Sequence, residues 1–115
     1  MTAPTPTVGA DQPTWLLDAQ WAVFAGHFPS HPVLPGALLL DWVVSAITAQ
    51  LGSPVESISQ VKFPQTAEPG DCLSVALRQD GTRVRFEVLA TRAQASHVVA
   101  NGVAQVAEPA NRPAL

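Results

Sequence analysis

Cysteine occurs once in the 115 residues, at Cys72, so no disulfide can close within the chain and no zinc-type cluster of cysteines exists. Charge is sparse as well: 13% of residues are charged, six basic against nine acidic, for a formal balance of -3. A nucleic-acid binder needs a concentrated basic footprint, and this balance does not supply one. The N-terminus lacks a basic region followed by an apolar run, so no signal peptide is expected. The longest apolar stretch is interrupted by Asp41 and falls short of a membrane span. No internal repeat is visible. These absences lead to the expectation of a cytoplasmic protein without metal, membrane or nucleic acid.

What is present is apolar residues, 47% of the chain, enough for one compact domain. At this length a lone subunit buries a modest share of its surface, so stability is expected to be shared with a second copy. Residues 1–13 are rich in Pro, Thr, Ala and Gly without hydrophobic period, and residues 108–115 contain Pro109 and Pro113. Both are expected to be disordered ends of a domain spanning residues 14–107.

Within that domain, Trp15 to Phe24 reads as one strand or two short ones. Pro29, Pro32 and Pro35 then exclude a regular helix over residues 26–36. From Ala37 to Leu51 the pattern predicts a helix of about four turns, closed by Gly52 and Pro54 and apolar on most sides, as for a buried helix. The remainder is β-rich. Ser57 to Phe63 predicts a strand, Glu68 to Asp71 a turn, and Leu73, Val75 and Leu77 an alternating strand. Asp80-Gly81 signals a two-residue hairpin. The return strand places Val84, Phe86 and Val88 on one face and Arg83, Arg85 and Glu87 on the other. His97 to Val106 forms the last strand, where Gly102 suggests a bulge or a close helix approach. One buried helix followed by an antiparallel meander packs simply: the sheet curls around the helix and each covers the other's apolar face. That α+β arrangement is the hot-dog fold.

The segment Gly26-His27-Phe28-Pro29-x-x-Pro32-Val33-Leu34-Pro35-Gly36-Ala37-Leu38-Leu39-Leu40-Asp41 resembles the signature of FabA/FabZ-type 3-hydroxyacyl-ACP dehydratases. Val61-Lys62-Phe63 and Pro69-Gly70-Asp71 follow in family order. The short length and the wording of Pro32 to Trp42 look closest to dehydratases of aryl-polyene and type II polyketide clusters. Where the family often has Gln one turn after the acid, this chain has Ser45.

The resemblance implies a hydro-lyase that takes no cofactor of its own. Its substrate would ride on the phosphopantetheine arm of an acyl carrier protein, and the His and acid of one site would come from opposite subunits of a dimer. It implies that the Val33 carbonyl accepts one imidazole N–H, and it groups Phe28 and Ser45 with the substrate-binding residues. The residues themselves suit such a reaction. Imidazole is largely neutral at physiological pH, which fits His27 as the base at C2. Asp41, between Leu40 and Trp42, is expected to be desolvated and so able to protonate a departing hydroxyl. The N–H of Gly36, at the positive end of the helix, would polarise the thioester oxygen.

Plainer roles are expected elsewhere. His27 and His31 are four apart, but the prolines forbid the helical pair used for zinc. Cys72 is read as packing, His97 as an ordinary strand residue, and Trp15, Trp21 and Trp42 as core or interface. Arg83 and Arg85 read as a solvated strand face, with docking of an acidic carrier, joined by Lys62 or Arg78, as the alternative. Two other functions stay open: a hot-dog acyl thioesterase, and a non-catalytic partner subunit that completes a heteromeric dehydratase.

Overall fold

The computed structural model describes residues 13–18 and 33–108. Trp21, His27, Phe28 and His31, and the expected disordered ends apart from Pro13 and Glu108, lie outside the described residues. Element β1 is Thr14–Leu16, α1 is Gly36–Leu51, β2 is Val55–Lys62, β3 is Cys72–Asp80, β4 is Arg83–Arg92 and β5 is Ala95–Val106. The strands form one antiparallel sheet in the order β1-β3-β4-β5-β2, with the helix against its inner face. A helix packed on an antiparallel sheet is as expected, but only β3, β4 and β5 run as a meander: β2 crosses over to pair with β5 at one edge, and β1 pairs with β3 at the other. No helix among the described residues is long and apolar enough to cross a membrane.

The helix forms where the apolar residues recur at helical spacing. Leu39, Trp42, Val43, Ala46 and Ile47 are buried, the i, i+3, i+4, i+7, i+8 stripe of a helix packed on one side. Each large side chain removed from water in this way contributes about 1.5–3 kcal/mol. Gly52 ends the helix in the left-handed conformation at φ 73°, its N–H donating to the Thr48 carbonyl at 2.9 Å. One expectation needs correction. The helix is not enclosed on most sides: Ala37, Asp41, Ser45, Thr48 and Ala49 are exposed. A single five-stranded sheet reaches only one flank of a 16-residue rod.

Alternation holds on the strands. Leu73, Val75, Val84, Phe86, Val88 and Ala90 are buried, while Arg83, Arg85 and Glu87 face out. Trp15 and Trp42 meet at a centroid distance of 5.6 Å, which ties β1 to the helix and places both in the core. Pro13, just before β1, accepts a hydrogen bond from the Val75 N–H at 3.2 Å. The β3–β4 hairpin loop is displaced by one residue from the Asp80-Gly81 position. Asp80 pairs with Arg83, so the two-residue loop is Gly81-Thr82, with Gly81 at φ 63°.

Cys72 is exposed rather than packed, because it precedes inward-facing Leu73 on β3. Gly102 does face a bulge, though the extra residue belongs to β2: Ser59 pairs with Val103 and Lys62 with Asn101, so Gln60 and Val61 together oppose Gly102, and the groups nearest it are not the helix's. It sits opposite Phe86, whose ring crosses it so closely that a Cβ there would lie 2.8 Å from Cζ and 3.2 Å from the Ser59 carbonyl. The irregularity between β4 and β5 falls instead at Val99. Val88 pairs with Ala100 and Leu89 with Val98, so Val99 is the extra residue, and Val99 and Ala100 are both buried.

A charged clasp joins three strands at the sheet end away from the Gly81 hairpin. Asp71 is fully buried, and its carboxylate accepts Arg92 Nε and Nη2 at 2.7 Å each and the Glu68 N–H at 2.9 Å. Its carbonyl accepts the Leu17 N–H at 2.9 Å, while Gly70, at φ 90°, donates to the Leu17 carbonyl at 2.8 Å. Glu68 lies 3.7 Å from Arg92, and His97 Nε2 lies 3.4 Å from Arg92 Nη2. Burial pushes the Asp71 carboxyl up, but the Arg92 guanidinium and the Glu68 N–H outweigh it, with His97 adding to the pull. The net direction is downward from 3.8.

Two outcomes follow for stability. Gly102→Ala should cost about 1–3 kcal/mol by forcing the Phe86 ring aside, read as a lower urea midpoint with an unchanged slope. Asp71→Asn should cost about 1–3 kcal/mol at neutral pH, since a buried charge-assisted pair is lost. Because the folded carboxyl titrates below its unfolded value, its contribution is present above the unfolded pKa and is lost as pH falls through the folded one. The stability gap between wild type and Asp71→Asn should therefore narrow on acidification below 3.8; a gap constant across that range would refute this role for Asp71.

Candidate active site

The chemistry-bearing segment meets the sheet at the start of α1. Pro35 precedes the helix with extended backbone, φ -60° and ψ 140°, and provides no side-chain cap. Its carbonyl accepts the N–H groups of Leu38 and Leu39 at 3.1 Å each. The first helix turn carries no acidic residue. Among the described residues, the Gly36 and Ala37 N–H groups thus stand at the positive end of the helix with neither a cap from Pro35 nor an acidic residue in the first turn. Leu34 anchors this corner, its N–H donating to the Ala67 carbonyl at 2.7 Å.

Gly36 leaves little room for a side chain. The ring of Phe63, just past β2, lies against it, and a Cβ on Gly36 would come within 3.0 Å of Phe63 Cζ. Around this contact runs a cleft of about 360 Å³, walled by Val33, Leu34, Pro35, Leu39, Phe63, Ala67 and Val99, with Gln65 and Thr66 also lining it. The walls are largely apolar, and a polarising N–H stands at the Gly36 corner. This combination suits a thioester attached to a hydrocarbon chain. Phe63 is half-exposed at 48%, the exposure expected of an aromatic that borders a ligand cleft. Alternation assigns Phe63 only to the end of a strand; its cleft position comes from standing directly after β2, and Val61-Lys62-Phe63 in family order is the sequence signal that bears on it.

Asp41 and Ser45 stand elsewhere on the helix. Five residues separate Gly36 from Asp41, which is about 7.5 Å along the axis and about 140° around it. Gly36 looks toward Phe63 and the sheet, whereas Asp41, Ser45 and Thr48 form an exposed stripe on the other flank. The desolvation expected for Asp41 is therefore not supplied by the fold of its own chain. Val33 joins Gly36 at the cleft, Asp41 joins Ser45 on the stripe, and one subunit does not bring the two sets together. His27 and Phe28, the expected base and its neighbour, lie outside the described residues.

A larger cleft of about 500 Å³ opens at the other end of the helix, lined by Pro13, Gln50, Leu51, Val75, Leu77 and Gln79. None of these side chains titrates, so the described residues offer this cleft no acid or base. Among the described residues no three His, Cys, Asp or Glu side chains converge as a metal site. Arg78 and Arg85 pair directly across β3 and β4, with Arg83 beside them, on the exposed outer face. Gln79 on this stretch of β3 lines the cleft at the helix C-terminus, so these arginines sit toward the end of the helix opposite Gly36.

Comparison with known proteins agrees with this architecture. The family described as ApeI-like, ApeI dehydratase, matches residues 11–105. The 3-hydroxyacyl-[acyl-carrier-protein] dehydratase FabZ of Enterococcus faecalis is 34% identical over 93 residues, covering 73% of this chain and 58% of that protein. FabZ of Chlamydia trachomatis serovar D is 36% identical over 63 residues, 45% of this chain and 41% of that protein. The chain thus spans about half the length of the curated relatives it matches. Among solved structures, the dehydratase heterocomplex ApeI:P from Xenorhabdus doucetiae superposes with a TM-score of 0.68 at 23% identity, covering 93% of this chain and 100% of that one. That likeness is one of fold, the hot-dog fold. From the matched residues 11–105, this chain belongs to the ApeI-like dehydratase family.

Proposed function

We propose that the chain removes water from 3-hydroxyacyl thioesters held on an acyl carrier protein, giving the trans-2-enoyl thioester in fatty-acid, aryl-polyene or polyketide-type biosynthesis. The observation that carries this reading is the uncapped helix start at Gly36, set in an apolar cleft and preceded in sequence by Gly26-His27-Phe28-Pro29. The Gly36 N–H would hold the thioester oxygen and spread the charge that develops on it as a proton leaves C2. His27 is the proposed base for that proton, with the Val33 carbonyl holding its second ring N–H. Asp41 is the proposed acid at the C3 hydroxyl, and Phe28 and Ser45 would border the substrate. No redox change occurs, so the reaction asks for no cofactor beyond the carrier's phosphopantetheine arm. The cytoplasm, where carrier-linked synthesis occurs, is the proposed location.

The split between cleft and stripe supports a site completed by a second subunit. In such a dimer, Asp41 of one copy would face the Gly36 cleft of the other, and the second copy would supply the burial that its own chain does not. A heteromer meets the same geometric need. The ApeI:P structure is a heterocomplex, and this favours a second reading, in which the chain pairs with another hot-dog subunit to form the competent enzyme. Native mass measurement, alone and after co-expression with a second hot-dog protein, separates the two.

The direct test is conversion of a 3-hydroxyacyl carrier protein, followed by mass spectrometry of the carrier. Wild type should remove one water from the acyl group, while His27→Ala and Asp41→Asn should be slower by at least about a hundredfold, the scale of general acid–base assistance. An inactive homomer that gains activity only on co-expression would move the assignment to the heteromeric reading. Gly36→Ala should lower kcat by about ten- to a hundredfold, because Phe63 and the donor N–H cannot both keep their places. Unchanged turnover in that variant would remove Gly36 from the mechanism.

A further inference from the structure

The clasp around Asp71 is costly to build and poorly explained as a source of stability. A fully buried carboxylate loses its hydration, while the Arg92 side chain stays 43% exposed and its attraction is screened by water. What such a pair does well is fix geometry: the Arg92 fork binds both carboxylate oxygens, at 2.7 Å each, and leaves little freedom at either end. Its third hydrogen bond, from the Glu68 N–H, leads toward the active-site cleft.

The connection can be followed bond by bond. Arg92, at the end of β4, holds Asp71. Asp71 holds Glu68 twice, through its carboxylate at 2.9 Å and through its own N–H to the Glu68 carbonyl at 3.0 Å. Glu68 adjoins Ala67, whose carbonyl accepts the Leu34 N–H at 2.7 Å. Leu34 lies two residues before Gly36, and Pro35 between them has its φ fixed by its ring. Ala67, Leu34 and Gly36 all line the cleft. The path is short, buried at Asp71, Ala67 and Leu34, and made of bonds of 3.0 Å or less.

We propose that Asp71 and Arg92 are positioning residues for the Gly36 N–H, acting through the Glu68–Ala67 turn and Leu34. The inference rests on the dehydratase reading for its kinetic consequence, but its structural half stands apart from that reading. Neither residue touches the cleft, so their effect falls on orientation and not on substrate contact. A displaced donor weakens transition-state stabilisation more than substrate binding, and the loss belongs in kcat.

The test uses Arg92→Lys in the full chain, with Asp71→Asn as the second variant should the first fold poorly. Lysine keeps the positive charge but lacks the two-pronged fork. Amide hydrogen exchange is followed at Leu34, with the β4 and β5 amides around Val84 and Ala104 as internal reference, beside kcat and KM for the carrier-linked substrate. The expected result is a loss of Leu34 protection about tenfold or more beyond any loss at the reference amides, and kcat lower by about tenfold with KM within about twofold. Equal loss of protection at Leu34 and at the reference amides would reduce the clasp to a general stabiliser and overturn the proposal. So would intact Leu34 protection, or lost protection with full turnover. If wild type fails to dehydrate both alone and with a co-expressed second hot-dog subunit, the dehydratase reading falls by that result, and exchange at Leu34 still decides whether the clasp holds the helix start.

Discussion

A helix of 16 residues rests on a sheet that one chain can wrap only part of the way around it, and most of the molecule's character follows from that. The sheet side takes Leu39, Trp42, Val43, Ala46 and Ile47 out of water, while the far side keeps Asp41, Ser45 and Thr48 in contact with it. Burial is the larger energy, so it fixes the rotation of the helix about its axis. Once that rotation is fixed, Gly36 faces Phe63 and Asp41 cannot. The division of polar groups between two flanks is therefore a consequence of core packing.

Local backbone needs explain the other site residues. Pro35 sets the entry angle of the helix and leaves its first amides uncapped. Gly36 has to be small because an aromatic ring occupies the space a side chain would fill. Leu34 and Ala67 stitch the loop before the helix to the loop before β3. The Gly36 corner is thus held from both sides by backbone hydrogen bonds and close packing, which is the rigidity an electrostatic donor needs.

Much of this was legible from residue order. The helix limits came from Gly52 and Pro54 and from the apolar spacing after Ala37, and the structure begins the helix one residue earlier, at Gly36. The β4 face came from strict alternation. What failed to show were features that depend on partners distant in sequence. Asp71 reads as a turn residue in Pro69-Gly70-Asp71, and nothing near it announces Arg92, 21 positions later. Gly102 carries the right signal, a close approach, but the approaching group is a ring on the neighbouring strand and not the helix. Asp41 looks buried when read between Leu40 and Trp42, because a linear reading does not show which flank the sheet will leave open. Cys72 and the hairpin loop were each displaced by strand parity: one residue in β3 decides inside from outside.

The extra residue in β5 has a consequence for how such a cleft could change over evolutionary time. Val99 lines the cleft because the strand carries one more residue than its partner at that point, while the pairing on either side stays in step. The depth of the cleft floor is thus governed by chain length as well as by side-chain size. A lineage that lost or shifted that residue would reshape the acyl-facing wall in one step, leaving the hairpins, the helix and the proposed reactive groups where they are. Substrate range in a fold of this size can then drift by changes in strand register, a route that side-chain comparison alone would overlook.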